Sequence, residues 1–290
     1  MQPDRPRQKS YVAEVSDSTR WDAFEPRPGD IVVTTPPKSG TTWTQSILAM
    51  LIAGDPAVNA ETAYKSPWID ISIRSVEEVM ERLAAQDHRR QVKTHTPFDG
   101  IPYWSGLRYI SVYRHPIDVH FSFRKHNENM AMDALSDFFP EDIGEGFEMF
   151  LEGGYGDAAS LSLIVQHYRC ALELEPAENL IRLHYADMLR DLPGTVEAIA
   201  AHVGISHPPE LIAQIVDAAT FDSMKRNAHL YTPSAGKGFW QNDAGFFDSA
   251  SSNKWVGKLS DAHLEAYDAR MSELLTPEER AWLEWGSVPP

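Results

Sequence analysis

Ile31-Val32-Val33-Thr34-Thr35-Pro36-Pro37-Lys38-Ser39-Gly40-Thr41-Thr42-Trp43 is the stretch that decides the architecture. Ile31 to Thr34 is short and β-branched, follows Pro28-Gly29-Asp30, and predicts a strand. Thr42 to Ile52, beyond a Gly-bearing turn, predicts a helix. Such a turn aims several backbone N–H groups at one point, where the helix N-terminus adds roughly half a positive charge. The result is a P-loop-like phosphate-binding strand–loop–helix, to which Lys38, Ser39, Thr41 and Thr42 add side-chain donors. In the Walker pattern Lys follows the last glycine. Here Lys38 precedes Gly40 and the first Walker glycine is missing, an order that disfavours a kinase or ATPase. The plainer alternative is a strand–helix turn with a solvated lysine.

Outward from this loop, Gln91 to Thr94, Leu107 to Tyr113 and Leu180 to Leu183 predict three further strands. Helices are predicted from Pro116, over Thr195 to Val203 and Pro209 to Ala219, and from Asp261 to Leu275. The alternation implies an α/β fold: one domain over residues 1–290, its central, mainly parallel sheet flanked by helices. Residues 131–157 and 227–252 carry glycines and aromatics without strong periodicity, and predict covers over a site.

Composition narrows the function. The chain has 290 residues, 42% hydrophobic and 23% charged, the balance of a globular protein. A formal charge of −16 argues against nucleic-acid or anionic-membrane binding, so a polyanionic ligand requires the few cations to be gathered at one place. Cys170 is the only cysteine, which suits a reducing compartment. Met1 to Arg20 is polar, and the apolar run Ile47 to Ala53 falls far short of the ~20 residues of a membrane span. The expectation is a cytoplasmic protein without integral membrane association. The histidines are scattered with no ligand spacing, so no metal is expected.

Lys93 and His95 lie two residues apart, on one face if the strand extends to them. His95 follows a predicted strand at the sheet edge where α/β proteins hold ligands. On position alone, a strand-end histidine bonded to backbone is the stronger reading. Arg114 ends the third predicted strand, and its guanidinium suits a fixed phosphate. Ser122 lies eight residues on, just over two helical turns. A surface ion pair and helix packing are their ordinary alternatives.

Thr35 to Trp43 resembles the 5′-phosphosulfate loop of the cytosolic-type sulfotransferases, which use 3′-phosphoadenosine 5′-phosphosulfate (PAPS) and release the bisphosphate PAP. Lys93-Thr94-His95 is similar to that family's Lys-Thr-His segment, and Val112 to Ser122 to its 3′-phosphate segment. Ser66-Pro67-Trp68 and His88 to Gly100 look like the mycobacterial glycolipid branch. The resemblance implies a sulfotransferase in which His95 is the general base, Lys93 steadies the transferring group and Lys38 supports the leaving phosphate. It also implies that Ser122 restrains Lys38 before the acceptor binds. PAPS would be held by Lys38, Ser39, Gly40, Thr41, Thr42, Trp43, Arg114 and Ser122, with Tyr185, Thr220, Phe221 and Met224 lining the nucleoside. Sulfuryl transfer needs no metal in principle.

One motif departs. Phe246-Phe247 and Trp255 keep the family's last frame, but its Arg-Lys-Gly positions are Asp248, Ser249 and Ala250. Three outcomes stay open: a neutral nest of serines and amides, a cation from Lys254 or Lys237, or weakened nucleotide binding. The family's short dimer motif would fall at Val256 to Glu265, where only Glu265 fits, and the oligomeric state is left open. Phe98, Trp104, the 138–150 aromatics, Tyr231, Phe239 and Trp240 suggest an apolar small-molecule or lipid acceptor bearing a hydroxyl or amine. The competing functions are a non-catalytic PAP-binding protein of the same fold and, against the loop order, a P-loop kinase.

Overall fold

In the computed structural model the described residues are 1–58, 66–131, 139–153, 160–174, 177–233, 235–247 and 252–287. Four parallel strands form one sheet in the order β2-β1-β3-β4. They are β1 (Ile31–Thr34), β2 (Gln91–Thr94), β3 (Arg108–Tyr113) and β4 (Leu180–His184). In β1 every residue is buried, as a central strand covered on both faces requires. Side-chain alternation divides the core in two. Val32, Val92, Tyr109 and Tyr113 enter one cluster, whereas Ile31, Val33, Ile110 and Val112 enter the other.

The helices that cover the second face are α1 (Thr41–Ala53), α7 (Leu192–Val203) and α8 (Pro209–Ala219). The first face is packed by α2 (Val76–Ala84), α3 (Pro116–Glu128), α4 (Ile143–Glu152) and α5 (Leu161–Leu172). Helix α6 (Tyr185–Arg190) follows β4 directly. Short helices α9 (Phe221–Arg226) and α10 (Ala228–Tyr231) lead to the irregular segment, and α11 (Asp261–Leu274) and α12 (Pro277–Trp285) close the first face.

All four expected strands and the helices at 42–52, 116, 209–219 and 261–275 are present to within a residue or two. Helix α7 begins three residues before the expected Thr195, because Asp191 accepts from Gly194 N and Pro193 suits a first turn. The segment 131–157 is corrected in part: Ile143–Glu152 is a helix, capped by Asp142, and Phe147 and Phe150 are core residues rather than pocket lining. Phe138 lies outside the described residues.

From β1 the chain passes through α1 and α2 to β2 on one side, then crosses back to β3 on the other. The carboxyl ends of β1 and β3 therefore flank a topological switch point, where open α/β sheets hold ligands. Residues Thr35–Gly40 leave one strand there and Arg114–Pro116 leave the other. The described residues contain no helix long and apolar enough to cross a membrane.

Candidate active site

The loop after β1 is strained where its cation sits. Lys38 has φ 65° and Gly40 has φ 117°, both in the left-handed region. A side chain at Gly40 would also meet the Tyr185 ring at 3.2 Å and Val112 at 3.4 Å. Gly40 is the N-cap of α1 and brings no side-chain cap, so the first N–H groups of the helix are left for another acceptor. Ser39 Oγ is buried with no hydrogen-bond partner among the described residues. An uncapped helix start beside an orphaned hydroxyl and a lysine fits an oxyanion group. Thr35 and Thr41 share a 2.6 Å hydroxyl–hydroxyl bond that pins the two ends of the loop together. Thr42 sits in the first turn, its carbonyl accepting from Ser46 Oγ.

β2 delivers Lys93 and, one residue past its end, His95. His95 Nδ1 lies 2.8 Å from the Thr35 carbonyl. A carbonyl only accepts, so Nδ1 carries the proton and Nε2 is the free base. Burial first, then the Lys93 charge, holds the imidazole neutral, with its pKa down to about 3. Burial likewise lowers the Lys93 ammonium to about 8, partly offset by Asp70. Trp68, on a segment bridged to β2, packs its ring 4.6 Å from Lys93 Nζ and edge-on to His95 at 5.0 Å. Behind them, buried Asp70 accepts from the hydroxyls of Thr94 and Thr96, and burial raises its carboxyl pKa.

On the β3 side, Arg114 is buried and stacks over the Tyr185 ring at 4.3 Å. Ser122 is half-buried on α3. Trp43 donates its indole N–H to Ala219 O at 2.8 Å and meets Tyr185 edge-on at 5.5 Å. Thr220 caps α9, on which Phe221 contacts Phe247 at 6.3 Å and Met224 is buried. The fold thus brings the loop, Lys93, His95, Arg114 and Tyr185 to one end of the sheet.

Phe98 and Trp104 are core residues: Phe98 packs on Tyr109 and Trp104 on Phe24, so neither is pocket lining. Lys38 Nζ lies 2.8 Å from His126 Nδ1, one helical turn beyond Ser122. Sequence reasoning passed over His126, though its place four residues after Ser122 on one helix face was visible. Arg190 was also passed over; it lines a cavity of about 190 Å³ together with Arg114, Asp118, Ser252, Asn253 and Glu284. Asp248, Ser249 and Ala250 lie outside the described residues. Their flank is fixed, since Asn253 N and Lys254 N both donate to Asp118. The expected covers are joined: Ala131 N donates to Phe239 O at 3.0 Å and Gln241 N to Asn129 O at 2.8 Å. No cluster of three metal-ligating side chains occurs among the described residues.

The four-stranded parallel sheet, flanked by helices and with its switch point beside an uncapped strand–loop–helix, defines an α/β protein. Residues 28–277 match the sulfotransferase domain, and the chain belongs to the sulfotransferase family. It is a sulfotransferase enzyme, which sets aside the kinase alternative. A glycolipid sulfotransferase of Mycobacterium tuberculosis is 31% identical over 306 residues, covering 95% of this chain and 94% of that one. Mouse sulfotransferase 1A1 is 26% identical, with coverage of 92% and 90%. Among solved structures, retinol dehydratase in complex with androsterone and inactive cofactor PAP superposes with a TM-score of 0.72 at 20% identity. That match covers 90% of this chain and 87% of that one.

Proposed function

We propose that this enzyme moves a sulfuryl group from PAPS to a hydroxyl of an apolar small-molecule or lipid acceptor, in line, with His95 as base. The observation that carries the reading is Thr35. Its carbonyl fixes the His95 tautomer, while its hydroxyl fastens the loop that bears Lys38. Base and anion cradle are thereby held in one frame.

In the reaction the acceptor O–H gives its proton to His95 Nε2 as its oxygen bonds to sulfur. The bridging S–O bond breaks, and its electron pair goes to the 5′-phosphate of departing PAP. Lys93 sits beside the equatorial sulfuryl oxygens and Lys38 beside the leaving oxygen, where negative charge grows. The sulfuryl group also offsets the Lys93 charge that depresses His95, so the imidazole gains basicity once the donor is in place. Loop donors Ser39 to Thr42 take the 5′ end, Arg114 and Ser122 the 3′-phosphate, and Trp43, Tyr185, Thr220, Phe221 and Met224 the nucleoside. Arg190, ion-paired with Asp187 and lining the cavity beside Arg114, takes the place of the cation that the Asp248-Ser249-Ala250 segment lacks. Related proteins support both partners: PAP is bound in the retinol dehydratase complex, and the mycobacterial relative is a glycolipid sulfotransferase. One domain carries the whole site.

The test is His95→Ala. Transfer from PAPS should fall by about 10³-fold, the usual range for a lost general base. PAP affinity by calorimetry should stay within roughly threefold. Unchanged turnover would remove His95 from the mechanism, and tighter binding of ADP with Mg²⁺ than of PAP would remove the donor assignment.

A further inference from the structure

Two imidazoles stand at this site with opposite tautomers, each fixed by its partner. The His95 Nδ1 faces a carbonyl, so its Nε2 is a proton acceptor. The His126 Nδ1 faces the Lys38 ammonium at 2.8 Å. An ammonium only donates, so Nδ1 must accept and the His126 proton resides on Nε2. Burial, then Lys38, Lys93 and His95, keep His126 neutral, well below the usual imidazole range. No partner for Nε2 occurs among the described residues. The ring is half-buried, with Trp240 at 4.8 Å and Phe246 at 5.7 Å. Both belong to the segment whose backbone is bonded to the end of α3. Apart from the Lys38 ammonium on Nδ1, the ring is surrounded by the aromatic side chains of Phe123, Trp240 and Phe246.

We propose that His126 is a specificity-determining residue whose Nε2–H donates to a second oxygen of the acceptor. The enzyme then selects a polyhydroxylated acceptor, a sugar or polyol head on an apolar tail, over one with a lone hydroxyl. One oxygen gives its proton to His95 while its neighbour accepts from His126. A lone-hydroxyl acceptor leaves that donor facing Trp240 and Phe246 without a partner, which costs binding in the transition state. This rests on the sulfuryl-transfer reading above and adds the acceptor class to it.

The experiment uses the full chain, PAPS, and the matched pair octyl glucoside and octanol. The wild type should favour octyl glucoside in kcat/KM by about 30-fold or more. His126→Phe keeps an aromatic ring and removes both nitrogens, and should shrink that ratio about tenfold or more; His126→Asn, which still donates, should restore part of it. Loss of the Lys38 contact lowers turnover of both acceptors alike, so the ratio isolates Nε2. PAP calorimetry on each variant reports folding. A preference unchanged in His126→Phe, or a wild-type preference for octanol, overturns the proposal and leaves sulfuryl transfer standing. Sulfation of neither acceptor with no PAP binding overturns the transfer reading and this inference with it; PAP binding without sulfation of octyl glucoside overturns the acceptor class alone.

Discussion

Adjacent strands β1 and β3 each lead into a helix, and the two helix starts are built in opposite ways. Helix α1 starts at Gly40, with no side-chain cap. Helix α3 starts at His115, whose ring accepts from Ile117 N, with Pro116 removing a further N–H. The first turn leaves its backbone donors for a ligand. The second satisfies part of its own, and in the proposed function it meets the 3′-phosphate through the Arg114 side chain, held over Tyr185. The difference teaches that a helix start becomes a binding element by what it omits, and that a capped one needs a side-chain cation instead.

Gly40→Ala attacks the open turn and should have the largest effect. It forces a side chain into φ 117° and against Tyr185, so PAP affinity should fall by about 100-fold or more in calorimetry. Retained affinity would show that the backbone donors of α1 are not used. Arg114→Ala attacks the closed turn where it meets its ligand. PAP should weaken by roughly 30-fold, the scale of a charge-assisted bond, and adenosine 5′-phosphosulfate much less. Equal losses would refute the 3′-phosphate assignment.

Much of this contrast was legible beforehand. The Gly-bearing turn after Ile31-Val32-Val33-Thr34 and the order of Lys38 before Gly40 are local patterns, and local patterns survive folding. The position of His126 on the Ser122 face of its helix was legible, but its role and that of Arg190 were not, because each matters through a neighbour distant in sequence: Lys38 for one, Arg114 for the other. Phe98 and Trp104 misled for the converse reason. An aromatic residue carries no mark of whether it packs a core or lines a pocket; only the contacts to Tyr109 and Phe24 decide.

Smaller effects sharpen the comparison. His115→Ala should cost ~1–2 kcal/mol of stability in denaturant titration, from the lost cap and ring packing, with PAP affinity within about threefold. A large affinity loss would mean that the second turn also binds through its backbone. The closed turn should also be acid-sensitive. Burial lowers His115, His120 and His167 to about 3 and His184 to about 4, against 6.5 when unfolded. Between those values the unfolded chain binds protons that the folded one refuses. Stability is therefore full above pH ~6.5 and declines as pH falls through that window, by up to about 1.4 kcal/mol per unit for each group. His115→Ala should flatten the fall of melting temperature between pH 6.5 and 5; an unaltered slope would show that this ring does not contribute.

The left-handed backbone at Lys38 has a consequence for how this loop could ever change. Glycine or asparagine would relax the main chain and discard the charge, while arginine would keep the charge and inherit the same strain. No single replacement meets both demands. Saturation mutagenesis at this codon should therefore return few active variants beyond arginine, whereas neighbouring Pro37, under no such double constraint, should tolerate several.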